Sequence, residues 1–314
     1  MKAIGIMRYG GPEVLEVIDV EEVNAGFEEI RIKNFASAVN PTDIVSRSGM
    51  IAKFRKDDPV FPSVPGMDVA GIVDQIGEAV TADIKIGDRV MGMVIPDGNY
   101  GAYREQLILN QSAVVLAPKN SSHEEASTLP MNSLTARLSL DLLNLKSGQI
   151  IAVTGGPGAY GGYVIQLAKA DGLIVIADSS DSDESLLKDL GVDIIISREK
   201  SFADQIREHF PDGVDGLADG ALLNEKAIDA IKDGGSFTSI RGFKGSPQRD
   251  IKFSATWVTA YNCDYEKLDK IRQQVEDGLV TLRVAGTVSP ENAAEAHKRL
   301  EGGGTRGRMV IKWS

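Results

Sequence analysis

The sequence has one cysteine and three histidines among its 314 residues. The single cysteine, Cys263, excludes an internal disulfide and any zinc site that needs several cysteines. The histidines His123, His209 and His297 have no metal-ligand partner at a recognisable spacing, and no G-x-S-x-G nucleophile motif accompanies them. We therefore expect no metal site and no hydrolytic chemistry, and each histidine should be structural or exposed to solvent.

Long apolar runs and an excess of positive charge are also missing. No segment approaches 18 consecutive apolar residues, the length that spans a membrane, and the first residues, MKAIGIMRYGG, lack the apolar core of a signal peptide. The net charge of −11 argues against nucleic acid or an anionic membrane as a partner. We expect a globular protein of the reducing cytoplasm.

One glycine-rich stretch carries a strong functional signal. The apolar run Ile150–Val153 is followed by Gly156, Gly158 and Gly161 in the pattern G-x-G-x-x-G, and a helical pattern of apolar residues comes next. These glycines permit a tight turn, a close approach of the backbone to a pyrophosphate, and close packing of helix on strand. The N–H groups at the start of the helix would then face the phosphates. The stretch predicts a dinucleotide site.

The spacing of apolar residues predicts an α/β protein with two kinds of domain. Residues 1–118 alternate in short β-strand patterns with glycine and proline between them. From residue 149 onward strands and helices alternate, which indicates a doubly wound parallel sheet of the Rossmann type. We predict a β-rich domain over residues 1–118, the nucleotide-binding domain over 119–262, and a return to the first domain over 263–314. In the second domain we expect strands at 150–154, 173–177, 193–196, 214–218 and 236–240, and helices at 162–170, 183–190, 202–209 and 225–231.

Asp178 and Arg198 follow the second and third strands of the alternating region. Asp178 lies about 20 positions after Gly156, where an acidic residue accepts hydrogen bonds from the adenosine ribose and repels a 2′-phosphate. The alternative is a solvated acid in the run DSSDSDE. Arg198 could reach an adenine ring or a 2′-phosphate, or be a surface arginine.

Several short motifs, spread over nearly the whole length, together resemble one family. The chain looks like a member of the zinc-free quinone oxidoreductase (zeta-crystallin-like) branch of the medium-chain dehydrogenase/reductase superfamily. The motifs are Val39-Asn40-Pro41-Thr42-Asp43, Pro65-Gly66-Met67-Asp68-Val69-Ala70-Gly71, Ile86-Gly87-Asp88-Arg89-Val90, Gly101-Ala102-Tyr103, Leu134-Thr135-Ala136, Gln166-Leu167-Ala168-Lys169 and Ala296-His297.

The resemblance implies a GroES-like catalytic domain built from both ends of the chain and a central Rossmann domain that binds NAD(P)H. It also implies a homodimer joined through an edge strand near Asp250–Ser254. Zinc-dependent relatives have cysteine, histidine and cysteine where this chain has Asn40, Met67 and Met131, and an amide and two thioethers are poor zinc ligands. The expected reaction is a metal-independent transfer of hydride from the nicotinamide to a quinone or an α,β-unsaturated carbonyl compound.

By the same resemblance, Asn40 and Thr42 are the candidate catalytic residues. The Asn40 amide would lie beside the nicotinamide or the substrate carbonyl and stabilise developing negative charge; the alternative is a turn residue before Pro41. The predicted cofactor-binding residues are Thr135, Gly156, Gly158, Ala159, Tyr160, Gly161, Asp178, Ser179, Arg198, Gly220 and Gly242.

The chain also departs from its family. Val45 replaces a tyrosine that many quinone oxidoreductases carry, so a catalytically silent NAD(P)H-binding, crystallin-like protein is an alternative. A zinc-type alcohol dehydrogenase is a further alternative, disfavoured by the missing ligands. The family implies NADPH, whereas Asp178, with Asp183 and Glu184 in place of a lysine, favours NADH. We predict that both bind, with a modest preference for NADH, and that the loop Met50–Pro59 shapes the substrate pocket.

Overall fold

The computed structural model describes residues 1–50 and 60–314, so most of the loop predicted to shape the substrate pocket lies outside the described residues. The chain divides into two compact units. Residues 1–131 and 261–314 form the β-rich unit, and residues 132–260 form the α/β unit. In the part of the chain that is described, no helix is long and apolar enough to cross a membrane.

Fifteen strands and eight α-helices have been assigned within the described residues. The strands are β1 (Lys2–Gly5), β2 (Glu16–Asp19), β3 (Glu29–Ala38), β4 (Asp68–Ile76), β5 (Arg89–Met93), β6 (Gln106–Asn110), β7 (Val114–Leu116), β8 (Ile150–Thr154), β9 (Ile174–Ser179), β10 (Ile194–Ser197), β11 (Val214–Asp219), β12 (Ile231–Ser239), β13 (Lys252–Ala255), β14 (Val284–Val288) and β15 (Arg308–Lys312). The helices are α1 (Pro41–Arg47), α2 (His123–Ser127), α3 (Pro130–Leu143), α4 (Ala159–Ala170), α5 (Glu184–Asp189), α6 (Phe202–His209), α7 (Tyr265–Glu276) and α8 (Ala293–Glu301).

The β-rich unit is built around a mixed sheet whose strands come from both parts of the chain. Its order is β14-β15-β3-β4-β5-β7, with β6 also paired to β3, and β1 and β2 form a separate antiparallel ladder. Strand β3 alternates between buried and less buried residues, so that Ile30 and Ile32 enter the core with Val69 and Val73 of β4. This alternation is typical of a sheet with one face on the core.

The β-rich unit continues beyond the predicted boundary at residue 118. The reason is that α2, which Ser122 and Glu125 cap at its start, packs on β3 and β4 rather than on the following unit. Helix α1 was not predicted, because Asn40-Pro41 resembles a turn. In the structure Pro41 is instead the first residue of α1 and Asn40 its N-cap, a position that suits both residues.

The α/β unit is a parallel six-stranded sheet with the order β10-β9-β8-β11-β12-β13. The chain moves outward in one direction from β8 to β10 and then in the other from β11 to β13. This is the doubly wound Rossmann order, and it confirms the predicted fold class. In such a sheet ligands bind at the carboxyl ends of the strands, beside the point where the order reverses, which here lies between β8 and β11.

One predicted helix of this unit differs in type. The segment 225–231 is a 3₁₀ helix, Asn224–Ala230, and β12 begins directly at Ile231. A 3₁₀ helix rises about 2.0 Å per residue against about 1.5 Å for an α-helix. The tighter helix therefore covers more of the distance back to the start of the next parallel strand with the same number of residues.

Candidate functional site

The glycine-rich turn joins β8 to α4 at the carboxyl edge of the parallel sheet. Its left-handed residue is Gly155, with φ +69°, one position before the predicted motif. The Gly158 N–H donates to the Gly155 carbonyl at 3.0 Å, and Gly158 is the N-cap of α4. A Cβ on Gly161 would lie 2.3 Å from the same carbonyl oxygen, so only glycine fits there. The turn thus brings the first N–H groups of α4 to the site that binds phosphate in such folds.

The side chain of Tyr160 lies inside the α/β unit. Its ring is 7 % exposed, its hydroxyl hydrogen-bonds the Ser139 hydroxyl at 2.7 Å, and Ser139 in turn lies 3.0 Å from the Thr256 hydroxyl. The ring also lies so close to Gly220 that a Cβ there would be 2.8 Å away. Any contact that Tyr160 makes with a pyrophosphate would therefore come from its backbone, because the ring fills the space between helix and sheet.

Asp178 lies at the end of β9 and is 5 % exposed, so the alternative of a solvated loop acid is wrong. One carboxylate oxygen accepts the Gly155 N–H at 2.6 Å, and the other accepts Arg198 Nε at 2.7 Å. The Asp178 carboxylate therefore fastens the glycine turn to the second strand. Arg198 is exposed beside it, and the neighbouring Ser179 is buried, with its hydroxyl donating to the Ser180 carbonyl at 2.7 Å.

The loop after β11 is held by Asp219, a residue that the sequence reasoning missed. Its buried carboxylate accepts the Thr154 hydroxyl at 2.5 Å and the backbone N–H groups of Leu223 and Asn224 at 3.1 and 2.8 Å. Leu222 and Asn224 adopt left-handed φ values of 60° and 51°; this conformation is strained for leucine, whereas asparagine adopts it more readily. An aspartate at the end of a predicted strand, directly before Gly220, was the available signal.

Nine of the eleven predicted cofactor residues lie at one edge of the parallel sheet, and the other two, Thr135 and Gly242, are described separately. The structure brings Gly156, Gly158, Ala159, Tyr160, Gly161, Asp178, Ser179, Arg198 and Gly220 to the same edge of the sheet. Thr135 is half-buried on α3, where its carbonyl accepts the Ser139 hydroxyl at 3.0 Å. Gly242 has φ +77° and lies beside the Trp257 ring, which a Cβ would approach to 3.1 Å.

In the β-rich unit, Asn40 is fully buried and its amide is already engaged. Nδ2 donates to Asp68 Oδ2 at 2.6 Å, and the Met131 N–H donates to Asp68 Oδ1 at 2.7 Å. Burial raises the pKa of the Asp68 carboxyl to about 7. The second candidate catalytic residue, Thr42, is half-buried in the first turn of α1.

A second buried carboxylate, Asp43, fixes the backbone at the same place. It accepts the Asn40 N–H at 2.8 Å, the Tyr103 hydroxyl at 3.0 Å and the Gly66 N–H at 3.2 Å, while burial raises its pKa to about 6. The Tyr103 hydroxyl also lies 3.2 Å from Nε2 of His297. Burial lowers the pKa of His297 to about 3, so this imidazole is neutral.

The three histidines lie in different parts of the structure. His297 is buried in α8, His209 is exposed at the end of α6, and His123 stacks on Phe35 with ring centroids 4.9 Å apart. Among residues 1–50 and 60–314, no three or more His, Cys, Asp or Glu side chains come together as a metal site. Nor does the chemistry at the zinc-ligand positions of related dehydrogenases fit zinc, since Asn40 donates to a carboxylate and Met67 and Met131 are thioethers.

Comparison with known proteins places the chain in a family. Residues 26–119 match the alcohol dehydrogenase GroES-like domain, and residues 190–311 match the zinc-binding dehydrogenase family. The chain is 34 % identical to the 2-methylene-furan-3-one reductase of Solanum lycopersicum, with 99 % of the chain and 79 % of the relative covered. It belongs to the medium-chain dehydrogenase/reductase superfamily, in the quinone oxidoreductase branch.

Other members of the superfamily agree over the full length. The chain is 32 % identical to the NADPH-dependent alkenal/one oxidoreductase, chloroplastic, of Arabidopsis thaliana (99 % and 79 % covered). It is 28 % identical to the quinone oxidoreductase of Sus scrofa (99 % and 97 %). Among solved structures, the quinone oxidoreductase from Coxiella burnetii superposes with a TM-score of 0.87 at 27 % identity, covering 100 % of this chain and 99 % of that one. The crystal structure of an NAD-dependent alcohol dehydrogenase superposes with a TM-score of 0.89 at 27 % identity, covering 100 % of both chains. The resemblance and the fold class expected from the sequence are confirmed.

Proposed function

We propose that the protein is an NAD(P)H-dependent reductase of quinones or α,β-unsaturated carbonyl compounds that works without a metal. The observation that carries this proposal is similarity over 99 % of the chain to enone and quinone reductases. The turn from Gly155 to Gly161, where a Cβ on Gly161 would meet the backbone, supports a dinucleotide as the ligand. The Asn40, Met67 and Met131 positions, which offer no zinc ligands, support the metal-independent form of the reaction.

In this proposal each unit has a separate task. The bound nicotinamide supplies a hydride, and the protein supplies binding, orientation and electrostatics. The turn at Gly155–Gly161 and the first N–H groups of α4 would bind the pyrophosphate, with Asp178 and Arg198 at the adenosine end. Asn40 and Thr42 would orient the acceptor or the nicotinamide. The hydrogen bond to Asp68 already orients the Asn40 amide.

For the cofactor, we propose that NADH and NADPH both bind, with a modest preference for NADH. The Asp178–Arg198 ion pair has no net charge, so a 2′-phosphate finds no excess positive charge there. The pairing also offsets the repulsion that a lone Asp178 carboxylate would exert, which keeps the preference small. Fluorescence titration with both cofactors measures this directly, and NADPH binding at least tenfold tighter than NADH would contradict it.

We also propose a homodimer in the cytoplasm. Within residues 1–50 and 60–314, strand β13 is the outer strand of the parallel sheet and pairs with β12 alone. An edge strand offers unpaired N–H and C=O groups to a second copy. Size-exclusion chromatography with light scattering distinguishes the dimer from a monomer.

A turnover assay distinguishes this function from a catalytically silent NAD(P)H-binding protein. The silent protein is the alternative that Val45 favours. We expect oxidation of NADH or NADPH with 9,10-phenanthrenequinone and with a simple enone. We also expect Val45→Tyr to raise kcat/KM for the quinone several-fold, with Val45→Phe as the matched control that lacks the hydroxyl. Tight cofactor binding without turnover of either acceptor would favour the silent protein.

A further inference from the structure

The buried carboxylate of Asp68 joins two distant segments of the β-rich unit. Asp68 is the first residue of β4 and is fully buried. Its Oδ2 accepts the side-chain amide of Asn40, and its Oδ1 accepts the backbone N–H of Met131 in the first turn of α3. At 2.6 and 2.7 Å, both contacts are short hydrogen bonds.

These two bonds help to fix how the Asn40 side chain is presented, together with its capping of the α1 backbone at Asp43. Each Asp68 oxygen faces an N–H donor, so the carboxyl group meets the NH₂ end of the Asn40 amide and disfavours the flipped orientation, which would place two oxygens together. The second bond prevents Asp68 from turning away, because the first N–H groups of a helix have no partner within the helix and favour a negative charge. The backbone of Asn40 is held independently, by the bond from its N–H to Asp43.

We propose that Asp68 is a positioning residue for the reduction, which acts by fixing the orientation of the Asn40 amide. The role rests on the proposed function, because only there does Asn40 act at the reacting centre. Asp68 has no solvent-exposed surface and acts through Asn40. A misplacement of a positioning group by about 1 Å can cost about 100-fold in rate, so a loose Asn40 amide would have a measurable effect.

The decisive substitution is Asp68→Asn. Asn40 and Met131 donate to different oxygens of Asp68, and an amide has only one oxygen, so its NH₂ group must face one of the two donors. We expect kcat to fall by about 10- to 100-fold with KM changed less than about threefold. Cofactor affinity should stay within about twofold of the wild-type value, because the proposed contacts to the pyrophosphate and the adenosine lie in the α/β unit.

A double-mutant cycle separates positioning from general stability. The variants are Asp68→Asn, Asn40→Ala and the double variant, each measured for kcat, KM, cofactor affinity and Tm. If Asp68 acts through Asn40, Asp68→Asn should cost little or nothing in kcat once Asn40 is alanine. The matched control is Asp74→Asn, in which the same change on the same strand removes a carboxylate that pairs with Arg31 at 2.8 Å; this variant should retain the wild-type kcat.

The outcomes are distinct. Suppose that the wild type is active and Asp68→Asn lowers kcat by the same factor whether residue 40 is asparagine or alanine. That result overturns the role of Asp68 and leaves the proposed function intact. A wild type that binds cofactor and reduces neither acceptor overturns both. If Asp68→Asn does not fold, Asp68→Glu takes its place in the cycle under the same criterion, because it keeps the charge and moves it by one methylene group.

Discussion

His297 is a buried neutral imidazole, and its titration links stability to pH. Its pKa is about 3 in the folded protein and near 6.5 when unfolded. Between these values the unfolded chain binds the extra proton, so this contribution to stability is present above pH 6.5 and is lost as the pH falls toward 3. The raised pKa values of Asp43 and Asp68 act in the opposite direction, since their contribution is lost as the pH rises toward 6 and 7.

We therefore predict that His297→Gln loses less stability on acidification than the wild type. Glutamine can still donate to the Tyr103 hydroxyl but does not titrate, so the free energy of unfolding should fall less between about pH 7 and pH 5. Urea unfolding at the two pH values measures the difference. His209→Gln, at an exposed site, is the control and should follow the wild type; equal acid sensitivity of the His297 and His209 variants would contradict the prediction.

Selectivity between NADH and NADPH should respond to the Asp178–Arg198 pair. Asp178→Asn removes the negative charge and leaves Arg198 as an unpaired cation, so NADPH affinity relative to NADH should rise about tenfold or more. Arg198→Ala should lower that ratio. Fluorescence titration of both cofactors measures each variant, and Asp181→Asn in the same acidic run serves as the control. If the ratio of NADPH to NADH affinity is unchanged in both variants, the Asp178–Arg198 pair does not determine cofactor selectivity.

How much of the site the sequence predicts depends on how local each contact is. The position of Asp178 follows from its distance to the glycine turn along the chain, so it was predictable. Its partner Arg198 depends on the register that places Ile196 of β10 opposite Asp178 of β9, which no local pattern fixes. The bond from Asn40 to Asp68 was not foreseen for the same reason, since it needs β4 and the start of α1 to meet.

At the level of elements, strongly periodic segments were predicted well. Strand β8 and helix α6 have the predicted bounds, because alternation with strand and helix periods marks them clearly. The glycine turn was found, but its left-handed residue is Gly155 rather than a member of the G-x-G-x-x-G pattern. Which glycine takes the positive φ depends on where β8 ends, and strand ends are poorly marked in sequence.

The same turn makes a sharp prediction for Gly161→Ala. The new Cβ would lie 2.3 Å from the Gly155 carbonyl oxygen, so α4 must move away from β8. We expect a loss of about 1–3 kcal/mol in the free energy of unfolding and at least tenfold weaker cofactor binding. Thermal melting and fluorescence titration measure the two effects. Gly302→Ala is the control, because its nearest atom would be 3.4 Å away; wild-type cofactor affinity in the Gly161 variant would contradict the expected shift of the turn.

At the scale of the whole molecule, the proposed dimer depends on the outer edge of β13. The Thr256 N–H bonds the Ser239 carbonyl of β12, so by alternation the Ala255 N–H points to the free edge. Ala255→Pro removes that donor and should yield a monomer with wild-type secondary structure. Light scattering and circular dichroism test this, with Ala255→Ser as the control that keeps the N–H. A dimeric proline variant would exclude edge pairing at this strand.

The interrupted β-rich unit also has a consequence for synthesis on the ribosome. Residues 132–260 are continuous, so the parallel sheet can be completed as soon as that segment has emerged. Strand β15, in contrast, pairs antiparallel with β3 at Ala36–Ala38, and residues 39–307 separate the two strands in sequence. Until β15 is translated, Ala36–Ala38 lack this partner, although β6 already pairs with the same edge of β3 at Glu29–Lys33. Unpaired strand edges are where nascent chains aggregate or bind chaperones. The pairing of β15 with β3 therefore ends this exposure in the nascent protein.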